Sequence, residues 1–204
     1  MILPQTGLYA ITQTENKTSE QIINEVSAAL KAGISVLQYR NKQAIDAVYL
    51  AGALKELCHA HNIPLIINDD IKLAKLIGAN GVHIGQDDGQ LNYARKILGK
   101  NAIIGVSCYD SVERALEAEQ NSADYVAFGR FFPSNSKPLA APAHIATLQN
   151  AKNSIKVPIV AIGGILPSNG AELLAAGADM LAVIGGIFDQ TPYQSALAYQ
   201  ALFK

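Results

Sequence analysis

Residues Pro64–Gly85 read PLIINDDIKLAKLIGANGVHIG, and this stretch holds one complete unit of a fold. Leu65-Ile66-Ile67 is a short apolar run that stops at Asn68-Asp69-Asp70, the signature of a buried strand ending in polar residues. Asp70 stands before a helical stretch, Leu73 to Ile77, as a helix cap. Gly78 suits the left-handed residue that ends such a helix. Gly81 to Gly85 then opens the next strand. The same alternation extends both ways. The spacing predicts strands at Leu8 to Thr12, Ser35 to Arg40, Leu65 to Asn68, Gly81 to Gly85, Ile103 to Ser107, Tyr125 to Phe128, Ile159 to Ile162 and Leu181 to Ile184. Helical stretches lie between them. Glu20 to Leu30 carries Ile22, Ile23, Val26 and Leu30 at helical spacing; Ser111 caps a stretch with acids at Glu113 and Glu117; a helix with Leu173 and Leu174 follows Pro167-Ser168-Asn169.

Strands that are continuously apolar are covered on both faces, and strands alternating with helices form a parallel sheet. The chain of 204 residues is therefore read as α/β, a (β/α)8 TIM barrel, in a single domain over residues 1–204. An open doubly wound sheet is the alternative, weakened by the lack of GxGxxG after the first strand. The segments 32–36, 78–82, 122–126 and 176–180 each close a helix and open a strand. True internal repetition and shared turn chemistry both account for that similarity.

Composition narrows the function. Half of the residues are hydrophobic and 16% are charged, which predicts a large buried core. A formal net charge of −1 argues against a nucleic-acid surface or a membrane-binding face. Cys58 and Cys108 do not make a disulfide framework. Met1 to Gln5 has neither the basic nor the apolar region of a secretory leader, so a cytoplasmic protein is expected. Small-molecule substrates are the expected partners, and assembly into a homo-oligomer is left open.

In a barrel the site lies at the C-terminal ends of the strands. Gln38, Arg40 and Lys42 alternate onto one face of the second strand if it stays extended. Arg40 and Lys42 read either as a phosphate grip or as solvated loop charges. Asn68-Asp69-Asp70 exceeds what capping requires, which leaves Asn68 and Asp69 for the site. Asp87-Asp88 ends the next strand, and Asp88 reads equally as a metal ligand or as the cap of a helix starting near Leu91. Carboxylates at neighbouring strand ends suit Mg²⁺, which binds one or two carboxylates plus substrate phosphates. Ser107 offers a hydroxyl, and Lys137 lies in the Pro133–Pro142 loop as either a ligand or an exposed charge. Gly163-Gly164 and Gly185-Gly186 end the last two strands, as tight turns or as a phosphate cradle. Cys58, His59 and His61 lack a fourth ligand for zinc. His83 reads as a hydrogen-bonded core residue.

Six of these motifs, in this order, resemble the thiamine-phosphate synthase (thiamine-phosphate pyrophosphorylase) family: Gln38-Tyr39-Arg40-Asn41-Lys42, Ile67-Asn68-Asp69-Asp70, His83-Ile84-Gly85-Gln86-Asp87-Asp88, Gly105-Val106-Ser107, Pro133-Ser134-Asn135-Ser136-Lys137 and Ala161-Ile162-Gly163-Gly164-Ile165. The resemblance implies a reaction: 4-amino-2-methyl-5-hydroxymethylpyrimidine diphosphate condenses with a thiazole phosphate, giving thiamine phosphate and diphosphate. It implies Mg²⁺ held by Asp69 and Asp88. It implies that Arg40, Lys42, Asn68, Ser107 and Lys137 bind the diphosphate, with Arg40, Lys42, Ser107 and Lys137 acting in catalysis. Gln38 would contact the pyrimidine, and Ser134 and Ser136 would lie near the thiazole. Gly164, Ile184 and Gly185 would receive the thiazole phosphate. The chain departs from the family pattern in three places: Asn41 stands where an acid is usual, Arg130-Phe131-Phe132 replaces a Pro-containing run, and Ser134 and Ser136 replace Thr. A thiazole tautomerase of the same superfamily is the nearest rival. Its His after the fifth strand corresponds to Tyr109. A non-catalytic barrel that binds a thiamine precursor is the other alternative.

Overall fold

A computed structural model describes residues 1–41, 46–85, 88–134 and 141–204, with Asp88 described by its backbone only. Eight parallel strands run β1 (Gly7–Ile11), β2 (Val36–Tyr39), β3 (Leu65–Asn68), β4 (Gly81–Ile84), β5 (Ile103–Tyr109), β6 (Tyr125–Phe128), β7 (Ile159–Ile162) and β8 (Met180–Val183). Each pairs with the next, and β1 pairs with β8 through Gly7 to Met180 and Ala10 to Val183. The sheet is a closed (β/α)8 barrel, which rules out the open doubly wound alternative. The helices are α1 (Ser19–Lys31), α2 (Ala47–Ala60), α3 (Ile71–Ile77), α4 (Asp88–Leu98), α5 (Val112–Gln120), α6 (Ile145–Ser154), α7 (Gly170–Ala175), α8 (Gly185–Phe188) and α9 (Pro192–Gln200). Among the described residues no helix is long and apolar enough to cross a membrane.

Most boundaries shift by a residue or two from the sequence expectation, and two of the shifts bear on the site. The fifth strand continues past Ser107 to Tyr109, with a register shift between the two that turns Tyr109 to positive φ. Helix α4 begins at Asp88 rather than near Leu91. The expected caps form where a side chain can reach: Asp70 Oδ1 accepts from Leu73 N at 2.8 Å, and Ser111 Oγ accepts from Arg114 N at 3.2 Å. Asn169 does not cap α7 with its side chain. Its amide instead accepts from Leu166 N and donates to Gly164 O.

Alternation along each strand divides the core in two. Leu8, Leu37, Ile67, Val82, Ile104, Phe128 and Leu181 face outward and pack under the helices. Tyr9, Ile11, Val36, Ile66, Ile103, Tyr125, Val160 and Met180 face inward and fill the barrel. Gly105 makes room for the largest of these: a Cβ there would lie 1.9 Å from the Tyr125 ring. The ring can therefore lie across the barrel with its hydroxyl near the axis.

The N-terminal face is tied by one device used three times. Asn80 accepts from Leu65 N, Asp124 from Ile104 N and Asp179 from Ile159 N, each at 2.7–2.9 Å, through the side chain. The backbone N–H of each of these residues donates back to the carbonyl of the same strand residue. Three of the four similar segments thus share a specific hydrogen-bonded turn. This leaves the opposite face to carry the site.

Candidate active site

A cavity of about 1220 Å³ opens at the C-terminal ends of the strands. Its volume exceeds the roughly 300–1,000 Å³ of a typical small-molecule pocket, enough for two ligands side by side. Strand β2 contributes Gln38 and Arg40, which line the cavity together as their alternation predicts. Gln38 is 3% exposed at its floor, while Arg40 is half-buried at the rim. Thr12 holds the Arg40 backbone in both directions, its hydroxyl accepting from Arg40 N and donating to Arg40 O. Asn41 donates to the Tyr39 hydroxyl at 2.9 Å and accepts from Thr14 at 3.4 Å. The residue that departs from the family's usual acid is thus built into the strand end.

The end of β3 separates its polar residues by role. Asp69 N donates to His83 O on β4, and Asp70 N folds back onto Asn68 O at 2.7 Å. That tight turn forces Asp69 to φ +62°, a left-handed conformation that costs an ordinary L-residue about 1–2 kcal/mol and that Asp tolerates better than most. Asn68 Nδ2 donates to Asp69 Oδ2 at 2.6 Å, fixing a carboxylate that borders the cavity. Asp70 serves as the α3 cap.

The next strands add a hydroxyl and aromatic side chains. Ser107 of β5 lines the cavity with its Oγ 2.9 Å from His83 Nε2. Tyr109, the next residue out on that side, lines it under the Arg114 guanidinium, 5.8 Å from the ring centre. Gln90 and Tyr93 of α4 reach it from above β4. After β6, Arg130 and Ser134 border the cavity.

Opposite lie the glycine turns. Gly163 and Gly164 have φ of +105° and +64°. A Cβ on Gly163 would meet Arg130 Cβ at 2.2 Å, and one on Gly164 would meet Pro133 O at 2.3 Å. Phe131 N and Phe132 N donate to Ile162 O and Gly163 O. These glycines are therefore required for the segment after β6 to lie down on the end of β7, in addition to any approach by a ligand. Gly185 begins the short helix α8 directly after β8, and Ile184, Gly185 and Gly186 line the cavity. The first N–H groups of a helix have no partner within it, which suits an anion. Asp189 folds back beside Gly185, its Oδ2 2.3 Å from where a Cβ would stand.

A family model described as thiamine monophosphate synthase matches residues 8–187 of this chain. The chain belongs to the thiamine monophosphate synthase family. The thiamine-phosphate synthase of Nitrosococcus oceani is 50% identical over 194 residues, covering 94% of this chain and 89% of that protein. That of Azoarcus sp. is 47% identical over 200 residues, 97% of each. The solved thiamine phosphate pyrophosphorylase from Pyrococcus furiosus superposes with a TM-score of 0.87 at 31% identity, over 97% of this chain and 95% of that one.

For this member of the thiamine monophosphate synthase family, the structure brings Gln38, Arg40, Asn68, Asp69, Ser107, Ser134, Gly164, Ile184 and Gly185 to one cavity. Lys42, Ser136 and Lys137 lie outside the described residues, as does the side chain of Asp88. Asp88 itself opens α4 directly above β4, the strand beside that of Asp69. Among the described residues no three His, Cys, Asp or Glu side chains group as a metal cage. A single held carboxylate such as Asp69 still fits Mg²⁺, which keeps several waters and takes substrate phosphate oxygens rather than a full protein shell.

His83 makes the hydrogen bonds expected of it, to Tyr125 and Ser107, but it is half-buried on the cavity floor rather than enclosed in the core. Tyr9 and Tyr125, also on that floor, were not expected in the site at all. A signal for Tyr125 exists: an inward tyrosine registered against a glycine, as Tyr125 is against Gly105, marks a ring laid across a barrel; Tyr9, registered against Val36 and Ala182, carries no such mark.

Proposed function

We propose that this chain is a thiamine-phosphate synthase, joining 4-amino-2-methyl-5-hydroxymethylpyrimidine diphosphate to a thiazole phosphate with release of diphosphate. One observation carries the reading. In a chain 50% identical to a thiamine-phosphate synthase, the amide, cation, carboxylate and hydroxyl of Gln38, Arg40, Asp69 and Ser107 border the same cavity as the glycine turns after β7 and β8. One side offers groups for a diphosphate on an aminopyrimidine. The other offers backbone N–H groups for a monophosphate.

In this reading the C–O bond between the pyrimidine methylene and the diphosphate breaks, and its electron pair leaves with the diphosphate. The ring's amino group feeds electrons into the carbocation that remains. The thiazole nitrogen then supplies the pair that makes the new C–N bond. No enzyme nucleophile takes part. Catalysis is electrostatic stabilisation of charge developing on the leaving group. Arg40 grips that group with parallel hydrogen bonds, and Ser107 adds a hydroxyl; Lys42 and Lys137 add point charges. Gln38 orients the ring, Ser134 and Ser136 border the thiazole, and Gly164, Ile184 and Gly185 take its phosphate. Asp69 and Asp88 would hold Mg²⁺, which when bound neutralises diphosphate charge. Asn68 acts through Asp69, whose carboxylate it holds, as well as on the diphosphate.

The test is one assay with both substrates. Purified protein forms thiamine phosphate and diphosphate in the presence of Mg²⁺ and stops in excess EDTA. No product with Mg²⁺ present sinks the reading, and full activity in EDTA removes the metal from it.

A further inference from the structure

The cavity floor carries a hydrogen-bonded chain that substrate contacts alone do not explain. Gln38 Nε2 lies 2.9 Å from the Tyr9 hydroxyl, which lies 2.7 Å from that of Tyr125. The Tyr125 hydroxyl lies 2.9 Å from His83 Nδ1, and His83 Nε2 lies 2.9 Å from Ser107 Oγ. The five residues come from five different strands, β2, β1, β6, β4 and β5.

The direction of this chain follows from its first link. Tyr9 and Tyr125 are 1% and 0% exposed. Burial raises both phenols well above their ordinary range, so each keeps its proton. A hydroxyl has one proton to give, and a buried donor without an acceptor is costly. The Gln38 N–H can only donate. Tyr9 receives that bond on its oxygen and gives its own proton to Tyr125. Tyr125 then gives its proton to His83 Nδ1. A ring nitrogen that accepts is bare, so His83 carries its proton on Nε2 and donates to Ser107 Oγ. The Ser107 proton is left for the cavity.

We infer that the Gln38 amide, through Tyr9, Tyr125 and His83, sets the direction of the whole chain and so holds Ser107 as a hydrogen-bond donor toward a bound diphosphate. The inference deepens the proposed function and rests on it for the identity of the anion. His83, Tyr125 and Tyr9 are positioning residues. With Nε2 turned to Tyr9, the Gln38 amide has its Oε1 to offer to the pyrimidine's amino group. Recognition of the ring and grip on the diphosphate thus belong to one network. With the amide reversed, Oε1 would accept from Tyr9, each link would invert, and Ser107 would present a lone pair to an anion.

The His83 tautomer reports the direction. In protein labelled with [¹⁵N]histidine and free of substrate, two-bond ¹H–¹⁵N correlation separates protonated from bare ring nitrogens. The His83→Asn spectrum assigns the signal. His83 in the unmodified protein is expected as the Nε2–H tautomer; an Nδ1–H tautomer overturns the inference. Tyr9→Phe cuts the chain upstream and is expected to give a mixture of tautomers, whereas Ser107→Ala, at the downstream end, leaves Nε2–H in place. The opposite pattern overturns the claim that direction is set from Gln38. The unmodified protein decides the direction even if a variant fails to fold.

Calorimetric titration with inorganic diphosphate and Mg²⁺ tests the consequence. Ser107→Ala is expected to weaken binding about tenfold or more, the scale of one hydrogen bond to a charged group. Tyr9→Phe should weaken it severalfold without touching the ligand. Unchanged affinity in both variants overturns the donor role of Ser107. The tautomer is read without turnover. An Nε2–H His83 in a protein that makes no thiamine phosphate therefore counts against the proposed reaction and leaves the direction of the chain standing.

Discussion

Asp69 and Asp70 are adjacent carboxylates, and if Asp69 serves the proposed site while Asp70 caps α3, substitution should separate them cleanly. Asp70 Oδ1 accepts from Leu73 N at 2.8 Å as the cap of α3. Asp70→Ala removes that bond and costs about 0.5–2 kcal/mol. In a chain of this size that lowers Tm by about 2–4 °C per kcal/mol. Asp69 makes no cap and sits at φ +62°. In Asp69→Ala the Asn68 contact is lost, while the left-handed strain of about 1–2 kcal/mol stays. Asp69→Gly loses the same contact and relieves that strain, against an entropic penalty of about 0.5–1 kcal/mol for glycine. The Gly variant should therefore be the more stable of the two by about 0.5–1 kcal/mol, a Tm gap of about 2 °C. Rates should rank differently. Both Asp69 variants lose on the order of a hundredfold or more, the cost of removing a stabiliser of developing charge, while Asp70→Ala stays within severalfold of the unmodified protein. Thermal denaturation and the two-substrate assay measure both rankings. An Asp69→Gly protein that keeps its rate, or an Asp70→Ala protein that loses more rate than either Asp69 variant, refutes the division.

Gly105→Ala places a Cβ 1.9 Å from the buried Tyr125 ring; overpacking of this kind costs about 1–3 kcal/mol, read as a lower Tm. The variant's rate should fall with it, because the ring that moves carries the chain to Ser107. Burial pushes the Cys58 and Cys108 thiols up to about 12, so both stay protonated and slow to alkylate at pH 8 in the native state. Iodoacetamide followed by mass measurement should find them unmodified until denaturant is added. At Asp110, desolvation acts to raise the carboxyl, but hydrogen bonds from Thr147 and from the backbone and ring of His144 outweigh it and hold the group below its ordinary value. A depressed carboxyl stabilises the fold above its unfolded value near 3.8, and that contribution fades as pH falls through the lower folded value. The Tm advantage of the unmodified protein over Asp110→Asn should accordingly be full at pH 5–6 and shrink in acid below the usual carboxylate range; a constant gap would remove the linkage. Asp189→Asn takes a like charge from beside Gly185 and should lower the KM for thiazole phosphate, with an unchanged KM excluding a phosphate at that turn.

What was readable in the sequence was what depends on neighbours along the chain. Leu65-Ile66-Ile67 ended by Asn68-Asp69-Asp70 gives its strand, its boundary and its cap from local chemistry alone, and the same holds for most of the other strands. In a barrel the strand ends face one mouth, and Gln38, Arg40, Asp69 and Ser107 do reach one cavity. The floor was not readable, because its bonds run across the barrel. Tyr9 and Tyr125 are 116 positions apart, on strands that no local pattern brings together. His83 looked like core because a strand interior gives no hint of which inward side chains lie deep and which lie near the mouth. Gly163-Gly164 reads in the sequence as a tight turn or as a phosphate cradle, and neither reading names Arg130 and Pro133 as the residues of the same chain that press on the two glycines.

The contacts of Arg130 and Pro133 with the two glycines join the two sides of the cavity. The segment carrying Arg130, Pro133 and Ser134 is fixed by backbone hydrogen bonds to the end of β7, and it lies where glycine alone leaves space. A side chain at Gly164 would therefore act on two things at once: the turn proposed for a monophosphate and the position of Ser134 beside it. Gly164→Ala meets Pro133 O at 2.3 Å and also carries the left-handed strain of φ +64°. If the turn serves the thiazole phosphate, KM for that substrate should rise at least tenfold while KM for the pyrimidine diphosphate, bound across the cavity by β2, β3 and β5, stays within twofold; tenfold corresponds to about 1.4 kcal/mol, within the usual cost of such backbone strain. Steady-state kinetics with each substrate varied in turn makes the comparison. Equal rises in both values would mean that the substitution disturbs the barrel mouth as a whole, and the assignment of separate halves would fail.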